Sequence, residues 1–357
     1  MVNHYEIKYF EKNDKKQYQL FLKQNNHFLW YVSLEYKLLL ENYLNVNSLY
    51  LLIKKEGNIV GCLPLMESRN TPIGTIINSL PFYGSNGSFL IDKKVEKNEA
   101  TKIMNLLLGS LLSYVDKKNV AALTLITSPF DIHSKEFLED NFEFTFSDFR
   151  IGQITPLPSN KNDLLTIFEN PRPRNIRKAI KSGVLIRQST TDEDFDFLAT
   201  LHQQNIESIG GKSKSKLFFE SVKKLIPNDN YSLFIAQIQE KKVAALLLFY
   251  FNDTVEYFTP CSIFEYRNQQ PSSLLIFEAM KDAIEKKYKF WNWGGTWESQ
   301  KGVYEFKKKW GAKDMHYFYF TKILDRKILK SSKDELEKLY PNFYTLPYKN
   351  LNYYEKN

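Results

Sequence analysis

The sequence predicts a mixed α/β fold in two tandem domains, each a mixed, mostly antiparallel sheet with flanking helices. Three observations lead there. The chain has 357 residues, more than one ordinary hydrophobic core holds. Hydrophobic residues make up 43% and aromatics 15% of it, enough to fill two cores and too much for a disordered chain. One order of elements (hairpin, strand, loop, helix, strand) occurs twice, about 170–180 residues apart. Antiparallel hairpins combined with a helical crossover to another strand define the mixed class, and a cleft between two such lobes is where a ligand is expected.

The first copy opens with a helix over 31–44. Strands over 49–53 and 59–66 follow, joined across Lys54–Asn58 with Gly57 at the turn. A strand over 75–80 leads into PFYGSNGSF, Pro81–Phe89, whose glycines and aromatics suit function as well as turning. A helix over 99–117 carries Ile103, Leu106, Leu107 and Leu111 on one side. Strands over 121–127 and 143–154 complete the N-terminal domain, residues 1–156, and Pro156-Leu157-Pro158 marks its end.

The second domain, 157–325, begins with a basic segment, PRPRNIRKAIKSG at Pro171–Gly183. Its prolines mark entry to a short helix and Gly183 its stop. Ile176, Ala179 and Ile180 share one face, whereas Arg177, Lys178 and Lys181 share the other, with Arg172 and Arg174 upstream. Arginines so placed suit bidentate binding of phosphate or carboxylate; the alternative is a solvated helix face. Two short helices fit 192–227, with Asp192, Glu193, Asp194 and Asp196 as an acidic helix start favoured by its dipole. Strands over 231–238, 242–251 and 254–259, a helix over 272–287 and a strand over 290–293 repeat the first plan. A tail, 326–357, carries one helix over 333–339 and is expected to pack back on the domains.

The most informative stretch is KFWNWGGTWESQKGVYEFKKKWG, Lys289–Gly311. An aromatic strand breaks at Gly294-Gly295, which permit positive φ or close backbone approach, and a helix restarts near Gly302. Val303, Phe306 and Trp310 form one apolar stripe; Lys307 lies beside it, and Lys308 and Lys309 point away. A lysine aimed inward needs an anionic partner, from protein or ligand, unless its stem packs and its head snorkels out.

A formal charge of +8 makes phosphate esters, nucleic acid or an anionic membrane face plausible partners. The two cysteines, Cys62 and Cys261, and the five histidines lack metal-ligand spacing, so no metal is expected. Cys261 reads as a buried small hydrophobe rather than a nucleophile. The amino terminus lacks a signal-peptide core, and the longest apolar run, Val243–Phe251, is far below the ~20 residues of a membrane span, so a cytoplasmic location is expected. Gly210-Gly211-Lys212-Ser213 is not a phosphate loop, because Ile206 stands where its first glycine belongs. There is no GxSxG and no GxGxxG. Gln269-Gln270-Pro271-Ser272-Ser273 precedes a helix whose free N–H groups could hold an anion; plain serine capping is the alternative.

Taken together, LPFYGSNG at Leu80–Gly87, RNIRKAIKSGV at Arg174–Val184, VEYFTP at Val255–Pro260, the QQPSS helix entry, and NWGG followed by EFKKKWG resemble the Fem-type (FemABX) aminoacyl transferases and their GNAT-like N-acyltransferase relatives. The resemblance implies twin GNAT-like domains and amide-bond formation: an acyl or aminoacyl group moves onto an amine of a nucleotide- or lipid-linked sugar or muropeptide in cell-envelope biosynthesis. It implies that Lys307, Arg174 and Arg177 meet the precursor's phosphates, that Tyr83, Tyr257, Gly294 and Gly295 line its site, and that Gln270, Ser272 and Ser273 serve the donor. No catalytic residue follows from it; Glu256, Glu298 and Asp314 are candidates for the base such a reaction needs. No cofactor is held permanently, and the co-substrate is acyl-CoA, an acyl-carrier-protein thioester or aminoacyl-tRNA. The absence of a long coiled-coil arm weighs against tRNA as donor. Partners are the envelope precursor, tRNA in the bridge-forming alternative, and the inner membrane face by peripheral contact. The rival from another class is a non-catalytic GNAT-like module that binds nucleic acid or protein.

Overall fold

Residues 5–69, 72–82 and 84–348 are described in a computed structural model. They form two compact units, 1–150 with 316–357, and 151–315. In the first unit lie β1 (Tyr5–Tyr9), α1 (Lys15–Gln24), α2 (Leu34–Leu44), β2 (Asn47–Ser48), β3 (Leu51–Lys55), β4 (Asn58–Leu63) and β5 (Met66–Ser68). These are followed by β6 (Thr75–Asn78), β7 (Leu90–Ile91), α3 (Lys97–Val115), β8 (Val120–Ile126), α4 (Ile132–Asn141) and the start of β9 (Phe146–Pro156). The second unit holds the end of β9, then α5 (Arg172–Lys181), β10 (Leu185–Ser189), α6 (Asp192–Glu207), α7 (Lys216–Leu225), β11 (Tyr231–Ile238) and β12 (Lys241–Phe251). It continues with β13 (Thr254–Ser262), α8 (Pro271–Glu285), β14 (Phe290–Thr296) and α9 (Lys301–Lys308). Most of β15 (Lys313–Ile323) and all of α10 (Lys333–Leu339) return to the first.

Turn chemistry explains the hairpins. Glu56 and Gly57 both adopt left-handed backbone between β3 and β4, with φ of 50° and 79°, and Gln239 and Glu240 do so between β11 and β12, with φ of 48° and 66°. Two consecutive left-handed residues give the tight turn whose twist matches paired strands. The helix expected over 31–44 starts at Leu34, because the Ser33 hydroxyl accepts the Tyr36 N–H at 3.1 Å and caps it there.

In the first unit β1-β3-β4-β7 form one antiparallel sheet, and β15-β8-β6-β5-β2 lie side by side in another. β6 and β8 are parallel, as a helical crossover through α3 requires. Ile103, Leu107 and Leu111 of α3 are fully buried with Leu51, Ile53, Leu63 and Leu123. Each such side chain contributes about 1.5–3 kcal/mol by leaving water. Ile328, Leu336 and Tyr340 of the carboxy-terminal segment pack with Ile76, Ala121 and Ala122.

In the second unit the order is β10-β11-β12-β13-β14-β9. The first four are antiparallel, β13 and β14 are parallel across α8, and β14 runs antiparallel to β9. The strand expected over 290–293 continues through both glycines to Thr296. α1, α4 and β15 carry no strong local signal, and all three are formed. The mixed α/β class, with largely antiparallel sheets and flanking helices, is the observed one. Among the described residues, no helix is long and apolar enough to cross a membrane.

Candidate functional site

The second unit gathers the more distinctive residues where β13 and β14 part. The two strands pair in parallel over three rungs only, the last being Glu256 with Asn292. At that rung the Asn292 amide donates to the Glu256 carboxylate at 2.8 Å, and the Gly294 N–H donates to the Asn292 side chain at 2.9 Å. Gly294 has φ +70°, and a Cβ there would meet nothing within 4 Å. Its glycine is therefore needed for backbone conformation, not for space. A bulge between Asn292 and Gly295 in the pairing with β9 accommodates the same kink.

Lys307, on α9, is aimed at this kink. Its side chain is buried, and its Nζ donates to Gly294 O and Gly295 O at 3.2 Å and to Thr296 Oγ1 at 2.7 Å. The sequence left open an anionic partner or a head that snorkels out to solvent; the protein instead supplies three neutral oxygens. Burial pushes the ammonium down from an ordinary 10.5 to about 8. Gln153 braces the arrangement, since its carboxamide accepts from Thr296 Oγ1 at 3.3 Å and donates to Tyr304 O at 3.2 Å.

A second buried cation comes from a residue expected in a solvated row. Arg172, at the first turn of α5, is 9% exposed. Its guanidinium lies over Phe306 at 4.3 Å and Trp310 at 5.4 Å, and Nη2 donates to Phe306 O at 3.3 Å. Its Nε is buried with no hydrogen-bond partner. Burial works against its charge, and Tyr257 partly offsets this. Among the described residues neither Arg172 nor Lys307 has a carboxylate partner, whereas each has its cationic group fixed in place. The signal that could have singled out Arg172 is its position between two prolines at the helix entry, a site that α5 turns toward the core along with Ile176 and Ala179.

An aromatic cluster supports both cations. Tyr257 lies 4.8 Å from Trp293, ring to ring, and Trp293 lies 6.1 Å from Phe306 and 6.0 Å from Trp310. The Trp293 indole donates to Thr155 Oγ1 at 2.9 Å, and Thr155 in turn donates to Trp310 O at 3.1 Å. The indole N–H groups of Trp291 and Trp310 are buried without partners. Gly311, with φ +76° and its Cβ position only 2.8 Å from Ile167 O, closes the turn after α9 at a position that favours glycine.

The other expected residues are placed as follows. Lys307, Gly294 and Gly295 are in direct contact, and Tyr257 is half-buried against Trp293. Arg174 and Arg177 are exposed on α5 and are not brought into contact with Lys307. Tyr83 lies outside the described residues. Gln270 takes φ 60° just before α8 and donates to Arg267 O at 3.0 Å, while Ser273 donates to Gln270 at 3.3 Å; these are local capping contacts, and Ser272 is half-buried beside them. Val303 is 44% exposed, which removes it from the expected inward stripe; α9 buries Lys307 instead. Ile180 likewise faces solvent. Of the candidate bases, Glu298 is exposed, and Asp314 is tied to Tyr304 at 2.8 Å and Lys308 at 3.6 Å. Glu256 is 1% exposed and sits at the last rung before the strands separate. Cys261 is buried, and burial raises its thiol to about 12, so it is no nucleophile at neutral pH.

Residues 234–318 match the model of the FemAB family, a segment that contains β13, β14, α9 and the kink between them. A search of curated proteins returns no match. Among solved structures, FemX superposes with a TM-score of 0.71 at 15% identity, covering 91% of this chain and 99% of that one. A tandem GNAT protein from the clavulanic acid biosynthesis pathway gives 0.57 at 9% identity, over 90% and 98%. The C-terminal domain of a putative lysylphosphatidylglycerol synthetase from Agrobacterium fabrum gives 0.53 at 11%, over 86% and 91%. At such identities the likeness is one of fold. The FemAB match thus falls on the segment that holds Lys307, and the fold is one shared with FemX over nearly the whole length of both chains.

Proposed function

We propose that this protein is an amide-forming N-acyltransferase of cell-envelope biosynthesis. It moves an acyl or aminoacyl group onto an amine of a nucleotide- or lipid-linked sugar or muropeptide. One observation carries the phosphate part of the proposal: Lys307 and Arg172 are two buried cations, both contacting the segment around β14 and α9, and neither has a carboxylate partner among the described residues. A buried charge without a counter-ion is unfavourable, and a bound phosphate relieves it. Arg174 and Arg177, exposed on the same helix as Arg172, would meet the same anion from its solvent side. Gly294 and Gly295 shape the backbone next to it, and Tyr257 belongs to its wall in this reading. The α8 entry, with Gln270, Ser272 and Ser273, is assigned to the donor, whether a thioester of coenzyme A or carrier protein or an aminoacyl-tRNA. The proposed domains, an N-terminal GNAT-like one at 1–156 and a C-terminal one at 157–325 with 326–357 as a tail, differ from the two compact units at 151–156 and 316–325. The proposed setting is the cytoplasm, with peripheral contact at the inner membrane face.

The test is equilibrium binding of a nucleoside-diphosphate-linked muropeptide to wild type, Lys307→Met and Arg172→Met, with circular dichroism as the check on folding. Each variant should bind at least about tenfold more weakly, the loss of one charge-assisted contact. Equal affinity in both folded variants removes the phosphate site from this region.

A further inference from the structure

The first unit contains a cavity that the proposed transferase site does not use. It has a volume of about 350 Å³ and is built from the segment before α2, the loop into β7, the first turns of α3 and the entry to α4. Phe28, Phe89, Met104 and Phe130 give it apolar walls. A space of this size and lining is in the range that holds small ligands.

Ser88 is the informative residue. It lines the cavity, is 1% exposed, and its hydroxyl has no hydrogen-bond partner. It also holds φ +48°, a left-handed conformation that a β-substituted residue adopts at a cost. Buried hydroxyls are paired as a rule, so an orphan bordering an apolar cavity marks a place for a polar atom brought from outside. The ionisable groups around the cavity oppose one another. Asp92 and Asp131 are offset by Lys93 and Lys97, and the latter two are exposed at its edge. Asp131 is moreover engaged with Ser134, accepting from its N–H at 3.1 Å and from its hydroxyl. His27 lines the cavity too, and burial holds its imidazole toward the neutral form, with Asp131 and Asp92 pulling the other way and Lys93 assisting. His133 completes the set of titratable groups there and lies 3.9 Å from Glu136. With Asp92, Asp131, Lys93 and Lys97 all ionised, the formal charges of the lining cancel, while burial raises the Asp131 carboxyl.

We infer that this cavity binds an uncharged acyl chain whose carbonyl oxygen accepts the Ser88 hydrogen bond while its hydrocarbon part fills the space among Phe28, Phe89, Met104 and Phe130. The chemistry names the group, not the molecule that carries it. It does not rest on the transferase reading, because every lining residue lies in the 1–150 segment.

The probe is octanamide, titrated into the full chain and followed by ligand-observed NMR and by its effect on Tm, with octanoate as the charged comparison. Octanamide should bind and raise Tm, and octanoate should bind more weakly. Ser88→Ala should weaken octanamide about tenfold, the value of one hydrogen bond in a site closed to water. Ala100→Phe, which fills the cavity from α3, should abolish binding while the chain stays folded by circular dichroism. If Ser88→Ala fails to fold, Ala100→Phe alone decides. No octanamide binding to wild type, unchanged binding in Ala100→Phe, or a preference for octanoate would each overturn the proposal. So would a crystal structure in octanamide that shows only ordered water on Ser88.

Discussion

Lys307→Met exposes the cost of the buried ammonium through the pH dependence of stability. In the folded protein Lys307 titrates near pH 8, whereas an unfolded lysine titrates near 10.5. Between these values the unfolded chain binds more protons than the folded one, so the wild type gains stability as pH rises through the window. Below about pH 8 both states are protonated and the folded state carries the full penalty of a charged group away from water. Across the whole window the change amounts to about 3 kcal/mol, with a limiting slope of about 1.4 kcal/mol per pH unit. Methionine keeps the length of the side chain and removes the proton. Urea unfolding of both proteins at pH 7.5, 8.5 and 9.5 measures the effect, because titrations elsewhere cancel in the difference. The stability of wild type relative to the variant should climb with pH over this range. A difference that stays constant refutes the depressed titration of Lys307, and with it the argument that this cation is held without adequate compensation.

Two further predictions follow from contacts on either side of the same unit. Thr155→Val leaves the Trp293 indole N–H without its acceptor and Trp310 O without its donor, and should cost about 2 kcal/mol in urea unfolding, with Thr155→Ser restoring most of it. Asp194 accepts from Arg187 at 2.7 and 3.0 Å and pairs with Lys242 at 2.8 Å, which, despite its burial, hold its carboxyl well below the usual 3.8. A depressed carboxyl contributes stability that is present above the unfolded value and lost as pH falls toward the folded one. Asp194→Asn should therefore lower stability at pH 7 and flatten its decline between pH 5 and 3; an unchanged acid limb would show that the cluster adds nothing.

The fold was legible wherever one local signal dominated. Hairpins announced themselves through Gly57 and the polar Gln239–Lys241 turn, and α3 and α8 through their apolar spacing. Strand ends were less clear, because tertiary pairing rather than local preference sets them. β14 continues through Gly294 and Gly295, which read as a break, since its partner β9 absorbs the kink as a bulge. α1 begins with lysines and glutamine and buries only Tyr18, Phe21 and Leu22, so its pattern is thin. At the site, Lys307 was legible from helical geometry, although Val303 as its neighbour on an apolar stripe was not: a helix of eight residues with one end at the surface need not bury its first turn. Arg172 was illegible for a different reason. Five basic residues in ten look alike in sequence, and only the packing of α5 against Phe306 and Trp310 separates the buried one from the exposed ones.

That separation bears on chemistry. Exposed arginines such as Arg174 and Arg177 attract any anion, weakly and through a salt-screened field. Lys307 and Arg172 differ because their positions are already fixed: one by Gly294, Gly295 and Thr296, the other by two aromatic faces and Phe306 O. A fixed group loses little side-chain freedom when a ligand arrives, so more of each contact appears as affinity. The two also offer different shapes, a compact ammonium and a planar fork with its Nε still unpaired. A phosphate ester presents several oxygens around one centre, and in the proposed reading Arg172, rather than its exposed neighbours, is the arginine that meets them.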